Sequence, residues 1–242
     1  KYKIYSKFFG EDKEAILSYF DNFLADEVNI LTVYKMKFIT DLSPLKNSVL
    51  FFNHSLSLAM FAYALANTDE IKEVSPFSKE EIDELISAAL FHSFGAINQA
   101  DAILKEGADE RRTLYNDVIR TSPDLVKDLN PTSRTLETMK FASDYNFDVL
   151  DFVKEDEDKT CIMANIITVS DIYLQTESGL FGVREKISHI VDGLNISSLR
   201  SKLNNKIVKA LTIALHFNDI FDFYKEMEKL KFHPREDSAN IA

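Results

Sequence analysis

The stretch Ser78-Lys79-Glu80-Glu81-Ile82-Asp83-Glu84-Leu85-Ile86-Ser87-Ala88-Ala89-Leu90-Phe91-His92-Ser93-Phe94-Gly95 reads as one helix whose start and buried face are both marked. Ser78 followed by Glu81 is a capping box, in which each side chain satisfies the other residue's backbone N–H. Ile82, Leu85, Ile86 and Ala89 recur at helical spacing and define a face turned to a core. His92 continues that face one turn beyond Ala89, so its imidazole points inward. Gly95 stands where a helix would stop, which leaves His92 and Ser93 in the last turn. Neighbours on a helix point in different directions, so His92 and Ser93 reach one site together only at a helix end.

Working outward, the same pattern recurs on both sides. A helix from about Leu45 to Ala66 carries His54, Leu58, Phe61 and Leu65 on one stripe, which turns a second imidazole inward. Downstream, Glu155-Asp156-Glu157-Asp158 precedes an apolar run from Thr160 to Tyr173. Carboxylates at a helix start favour its dipole, so the acidic run is read as a solvated helix N-terminus. The run itself is apolar on nearly every side, hence deeply buried, yet it contains Asp171. An ionisable group in such a place needs a partner, a capping role or a metal.

With 6 glycines and 5 prolines in 242 residues, punctuation is too sparse for many short strands, and the expected class is all-α. An N-terminal helical hairpin is expected over residues 1–44, with Ile16, Leu17, Phe20, Phe23 and Leu24 on one stripe and a second helix from Val28 to Thr40. Phe8, Phe9, Phe20 and Phe23 supply apolar surface for a core, a dimer contact or a link to a preceding domain. Residues 45–226 are expected to form the main helical domain and residues 227–242 a flexible tail. Between Asn98 and Asp158 the chain is polar, with breaks at Gly107, Ser122-Pro123 and Asn130-Pro131. A helix from Asn205 to about Tyr224, with Ile207, Leu211, Ala214, Leu215 and Phe221 inward, closes the bundle. Its other side, with Asn218, Asp219 and Asp222, is read as solvated.

Composition narrows the function. A net charge of −11 argues against nucleic-acid binding, which relies on cations to neutralise phosphates. The longest apolar runs fall short of the roughly 20 residues that span a bilayer, so no membrane insertion is expected. The lone Cys161 excludes an intrachain disulfide and, with Ile162 and Met163 beside it, is read as a packed thiol. A cytoplasmic location follows as an expectation. The chain starts at Lys1 with no charged and apolar leader, and is read as a piece of a longer protein.

His54 with Ser55, Ala59, Ala62 and Ala66, then Ala88 to Gly95, then Asp171-Ile172-Tyr173, resemble in their order the HD superfamily of metal-dependent phosphohydrolases. That family carries an isolated His, an adjacent His-Asp pair and a distant Asp on helices around one core. Gly95, Ile97, Asp101, Ile103, Leu104 and Gly107 bring the resemblance closest to the HD-GYP branch, the bacterial phosphodiesterases that open cyclic dinucleotides. It covers about residues 45 to 185 and implies an HD-domain-like helical bundle. The departures fall on the chemistry. Ser93 stands where the family has the Asp that bridges two metals, and a neutral hydroxyl is a poor ligand for a dication. Ala96 stands where the branch has a phosphate-facing Lys. No histidine lies between residues 110 and 150, and Phe141 to Phe147 keeps none of the Gly-Tyr-Pro character of the signature loop.

The resemblance thus implies a degenerate HD-GYP-like domain without catalytic residues, a regulatory or binding module of bacterial cyclic dinucleotide signalling. Its partner would be a protein or a small nucleotide, with no cofactor. The residual site is His54, His92, Ser93 and Asp171. The alternative is a residual phosphodiesterase in which His54, His92 and Asp171 hold a single iron, manganese or zinc ion whose bound water attacks phosphorus. His189 is read as a surface or capping residue in preference to a ligand, and His216 and His233 are given no chemistry.

Overall fold

A computed structural model describes residues 48–145, 158–181 and 204–216, all of them helical or in short connections, with no strand among them. The elements are α1 (Ser48–Ala66), α2 (Asp69–Val74), α3 (Lys79–His92), α4 (Phe94–Asn98), α5 (Ala100–Lys105), α6 (Ala108–Ile119), α7 (Ser122–Leu125), a 3₁₀ turn (Lys127–Leu129), α8 (Ser133–Tyr145), α9 (Lys159–Ser178) and α10 (Asn205–His216). The all-α expectation holds. The N-terminal hairpin, the Glu155 to Glu157 part of the acidic run, His189, His233 and the C-terminal tail lie outside the described residues.

Helix α1 is the axis of the fold, packed against α3, α4, α9 and α10. From Phe51 to Ala66 every residue is buried except the half-buried Asn53. The single inward stripe expected for this helix is therefore too narrow, because a helix surrounded by others has no solvent face to keep polar. Small side chains permit this crowding: Ala59 and Ala62 in α1 and Ala88 and Ala89 in α3 are fully buried. Helix α9 is the second buried element and packs on α8 and α1. The stack of Phe61 on Tyr173, with ring centroids 5.2 Å apart, joins α1 to α9.

Both ends of α9 are fixed by local chemistry. Asp158 is its N-cap, accepting from the Thr160 N–H at 2.8 Å, as the acidic run suggested. The helix does not end at Tyr173 as expected but continues to Ser178, where Gly179 takes a left-handed φ of 69° and the Leu180 N–H returns to the Gln175 carbonyl. Asp171 consequently sits two turns inside the helix, not at its edge. Buried Asn165 then anchors α10, since its Oδ1 accepts from the Asn204 N–H at 3.0 Å.

The capping box opens α3 as expected: the Ser78 N–H donates to Glu81 Oε2 at 2.8 Å and Ser78 Oγ accepts from the Glu81 N–H at 3.3 Å. Glu81 also accepts from Lys159 Nζ at 2.7 Å, which ties the starts of α3 and α9 together. Burial works against the ionised Glu81, but the hydrogen bonds from Lys159 and Ser78 outweigh it and hold its carboxyl below the usual range.

Gly95 departs from its expected role. Helix α3 stops at His92, Ser93 is the junction at φ −95° and ψ 17°, and α4 begins at Phe94 with Gly95 inside it. A Cβ at Gly95 would lie 2.4 Å from the Val118 carbonyl oxygen and 2.9 Å from Thr121 Oγ1. Its smallness serves the close approach of α4 to the end of α6. Its N–H is satisfied by Ser122 Oγ at 2.9 Å. Gly107 does break the chain, as the N-cap of α6, and Asn130 turns left-handed before Pro131. Ser122-Pro123 instead opens the short helix α7, with Pro in its first turn. Phe141 to Tyr145 form the last turns of α8 and not a loop. Cys161 is buried, as its apolar neighbours indicated.

A buried histidine and aspartate cluster as the candidate functional site

Three helices bring His54, His92 and Asp171 together. The Nε2 of His54 in α1 lies 2.6 Å from Asp171 Oδ1, and the Nε2 of His92 at the end of α3 lies 3.2 Å from Asp171 Oδ2. Asp171 and His92 are fully buried, and His54 is nearly so. Gln175, one turn on in α9, donates its amide to Asp171 Oδ2 at 2.6 Å. Oδ1 thus meets His54, and Oδ2 meets both His92 and Gln175.

Burial alone would raise the Asp171 pKa, but hydrogen bonds from His54 and His92, together with their charge, outweigh it. The carboxyl is held well below the usual aspartate range and is ionised. An ionised carboxylate only accepts, so the ring nitrogens facing it carry protons: both imidazoles present Nε2–H to Asp171. Nδ1 of His92 is buried without a hydrogen-bond partner.

Ser93 joins this cluster through Tyr115. Its Oγ lies 2.9 Å from the hydroxyl of Tyr115 in α6. At the helix junction the two neighbours take different partners: His92 meets Asp171 and Ser93 meets Tyr115. Tyr115 is fully buried, stacked on Phe51 at 5.8 Å, tilted against Phe181 at 4.9 Å and edge-on to His54 at 6.4 Å. Burial, and next the negative charge of Asp171, push its phenol pKa well above the ordinary tyrosine value, so it stays protonated. Ala96 is fully buried in α4.

No family model, curated protein or solved structure matches this chain. The site has to be judged on its own chemistry. Two imidazoles and a carboxylate are a donor set that suits a transition metal. Ligation, however, needs the Nε2 lone pairs and one carboxylate oxygen to face a common point. Here both Nε2 atoms converge on the Asp171 carboxylate, at 2.6 Å from Oδ1 and 3.2 Å from Oδ2. Among the described residues no group of three or more His, Cys, Asp or Glu side chains is arranged to hold a cation. As described, the three side chains form a hydrogen-bonded cluster, and their donor types are also those of a transition-metal site.

Sequence reasoning named His54, His92, Ser93 and Asp171 but missed Gln175 and Tyr115. Gln175 follows Asp171 by one helical turn, a spacing at which side chains meet. Tyr115 shares the face of Val118 and Ile119, the other buried residues of α6. Both signals were present in segments read as polar or already assigned.

Arg111, one turn before Tyr115, holds the neighbourhood in place. Its guanidinium donates to the carbonyls of Leu180 at 3.3 Å, Leu104 at 3.2 Å and Glu106 at 3.0 Å. It thereby joins the ends of α9 and α5 to α6.

Proposed function

We propose that this chain is a non-hydrolytic, HD-GYP-like helical domain that acts as a regulatory or binding module in cyclic dinucleotide signalling, through a partner protein or an uncleaved nucleotide. The observation that carries the reading is the closure of the histidine cluster. Asp171 is engaged by His54, His92 and Gln175, while the hydroxyl of Ser93, at the position where the family has a bridging carboxylate, is engaged by Tyr115. A phosphodiesterase needs a nucleophilic water and charge stabilisation at the phosphoryl oxygens. Here the ionised Asp171 is spent on its neighbours, and the fully buried Ala96 offers no cation to a phosphate. The signalling context comes from the resemblance in residue order, and the inactivity from the residues themselves.

The test is an assay of the purified protein with bis(p-nitrophenyl) phosphate and with cyclic di-GMP, with manganese or ferrous iron added. The expected result is no turnover above background, with or without metal. Turnover that disappears in His92→Ala would replace this reading with the residual phosphodiesterase.

A further inference from the structure

Resting on the reading that this cluster performs no hydrolysis, we propose that Tyr115 is the built-in occupant of the histidine pocket: a phenol supplied by the chain itself that fills the space beside His54 and Asp171. Half of helix α6 is exposed, yet it sends one of the largest fully buried side chains of the described structure into the cluster. The ring is gripped on several sides, by Phe51 at 5.8 Å, by Phe181 at 4.9 Å and by the edge of His54 at 6.4 Å. Such contacts fix a ring in one place.

The hydroxyl end explains Ser93. A fully buried phenol requires a hydrogen-bond partner, and Ser93 Oγ supplies it at 2.9 Å. An aspartate at position 93 would place a second carboxylate in the same dry volume as Asp171, against which the phenol already feels charge repulsion on ionisation. A small neutral hydroxyl at 93 and a phenol at 115 form one device, in which the residue that cannot bridge metals is the residue that seats the plug. Removing the ring would leave an enclosed cavity of aromatic shape, and dry cavities of that kind take up matching small molecules.

The experiment uses Tyr115→Ala with phenol as the probe, read by thermal unfolding and by the imidazole NMR signals of His54 and His92. Phenol is expected to raise the melting temperature of the variant by several degrees and to shift both imidazole signals, while leaving the wild type unchanged. A folded variant that ignores phenol, or binds it without moving either imidazole, would overturn the proposal. Tyr115→Phe provides the second arm, because it keeps the ring and removes only the hydroxyl. It is expected to exclude phenol as the wild type does. A Tyr115→Phe protein that admits phenol would show that the ring does not fill the pocket, and this holds even if Tyr115→Ala fails to fold. Hydrolysis by the wild type would refute the functional reading without touching either phenol result, so the two failures are distinguishable.

Discussion

At the scale of single residues, Asp171 is the group on which the site turns. Its pKa is depressed in the folded chain, so its ionised form contributes stability at neutral pH. That contribution is complete above the ordinary aspartate pKa of about 3.9 and is lost as the pH falls through the lower folded value. Urea unfolding of the wild type should therefore show stability declining below about pH 4, and Asp171→Asn should flatten that decline. Asp171→Ala leaves two buried imidazoles without their acceptor and should cost about 3–5 kcal/mol at pH 7. A loss under 1 kcal/mol would mean that the cluster is not formed in solution. The sequence exposed this residue because an acid in a helix apolar on all sides demands an explanation. It did not expose Gln175 as the third donor, because an amide in the same helix raises no such demand.

At the scale of elements, the junction between α3 and α4 sets the direction of His92 and Ser93. Gly95 permits it through the close approach to Val118 and Thr121, and Gly95→Ala must displace backbone rather than a flexible tip. A loss of about 1–3 kcal/mol in denaturant unfolding is expected from such overpacking; an unchanged midpoint would place α4 further from α6 than described. The capping box predicts a smaller effect at the other end of α3, with Ser78→Ala costing about 1 kcal/mol. This box, the buried face of α3 and the N-cap of α9 were all legible, since each depends on local spacing. The role of Gly95, the continuation of α9 past Tyr173 and the all-round burial of α1 were not, because each is decided by a neighbouring helix distant in sequence.

At the scale of the whole molecule, the described helices form an all-α assembly around α1, α3 and α9, and no described helix is long and apolar enough to cross a membrane. The resemblance in residue order implied such a bundle and brought three site residues to one place, but which way Ser93 would face depended on packing against α6. A lysine at position 96, as the resemblance would have it, meets the fold itself: Ala96→Lys buries an ammonium at a fully buried position and should destabilise by on the order of 3 kcal/mol or more. The account as a whole rests on His54, His92 and Asp171 being bonded to one another in place of a divalent ion. Calorimetric titration of the metal-stripped wild type with manganese, ferrous iron and zinc tests this most directly. The prediction is no stoichiometric uptake at the cluster, and the same trace for Asp171→Asn. Uptake of one ion per chain that vanishes in Asp171→Asn would contradict it.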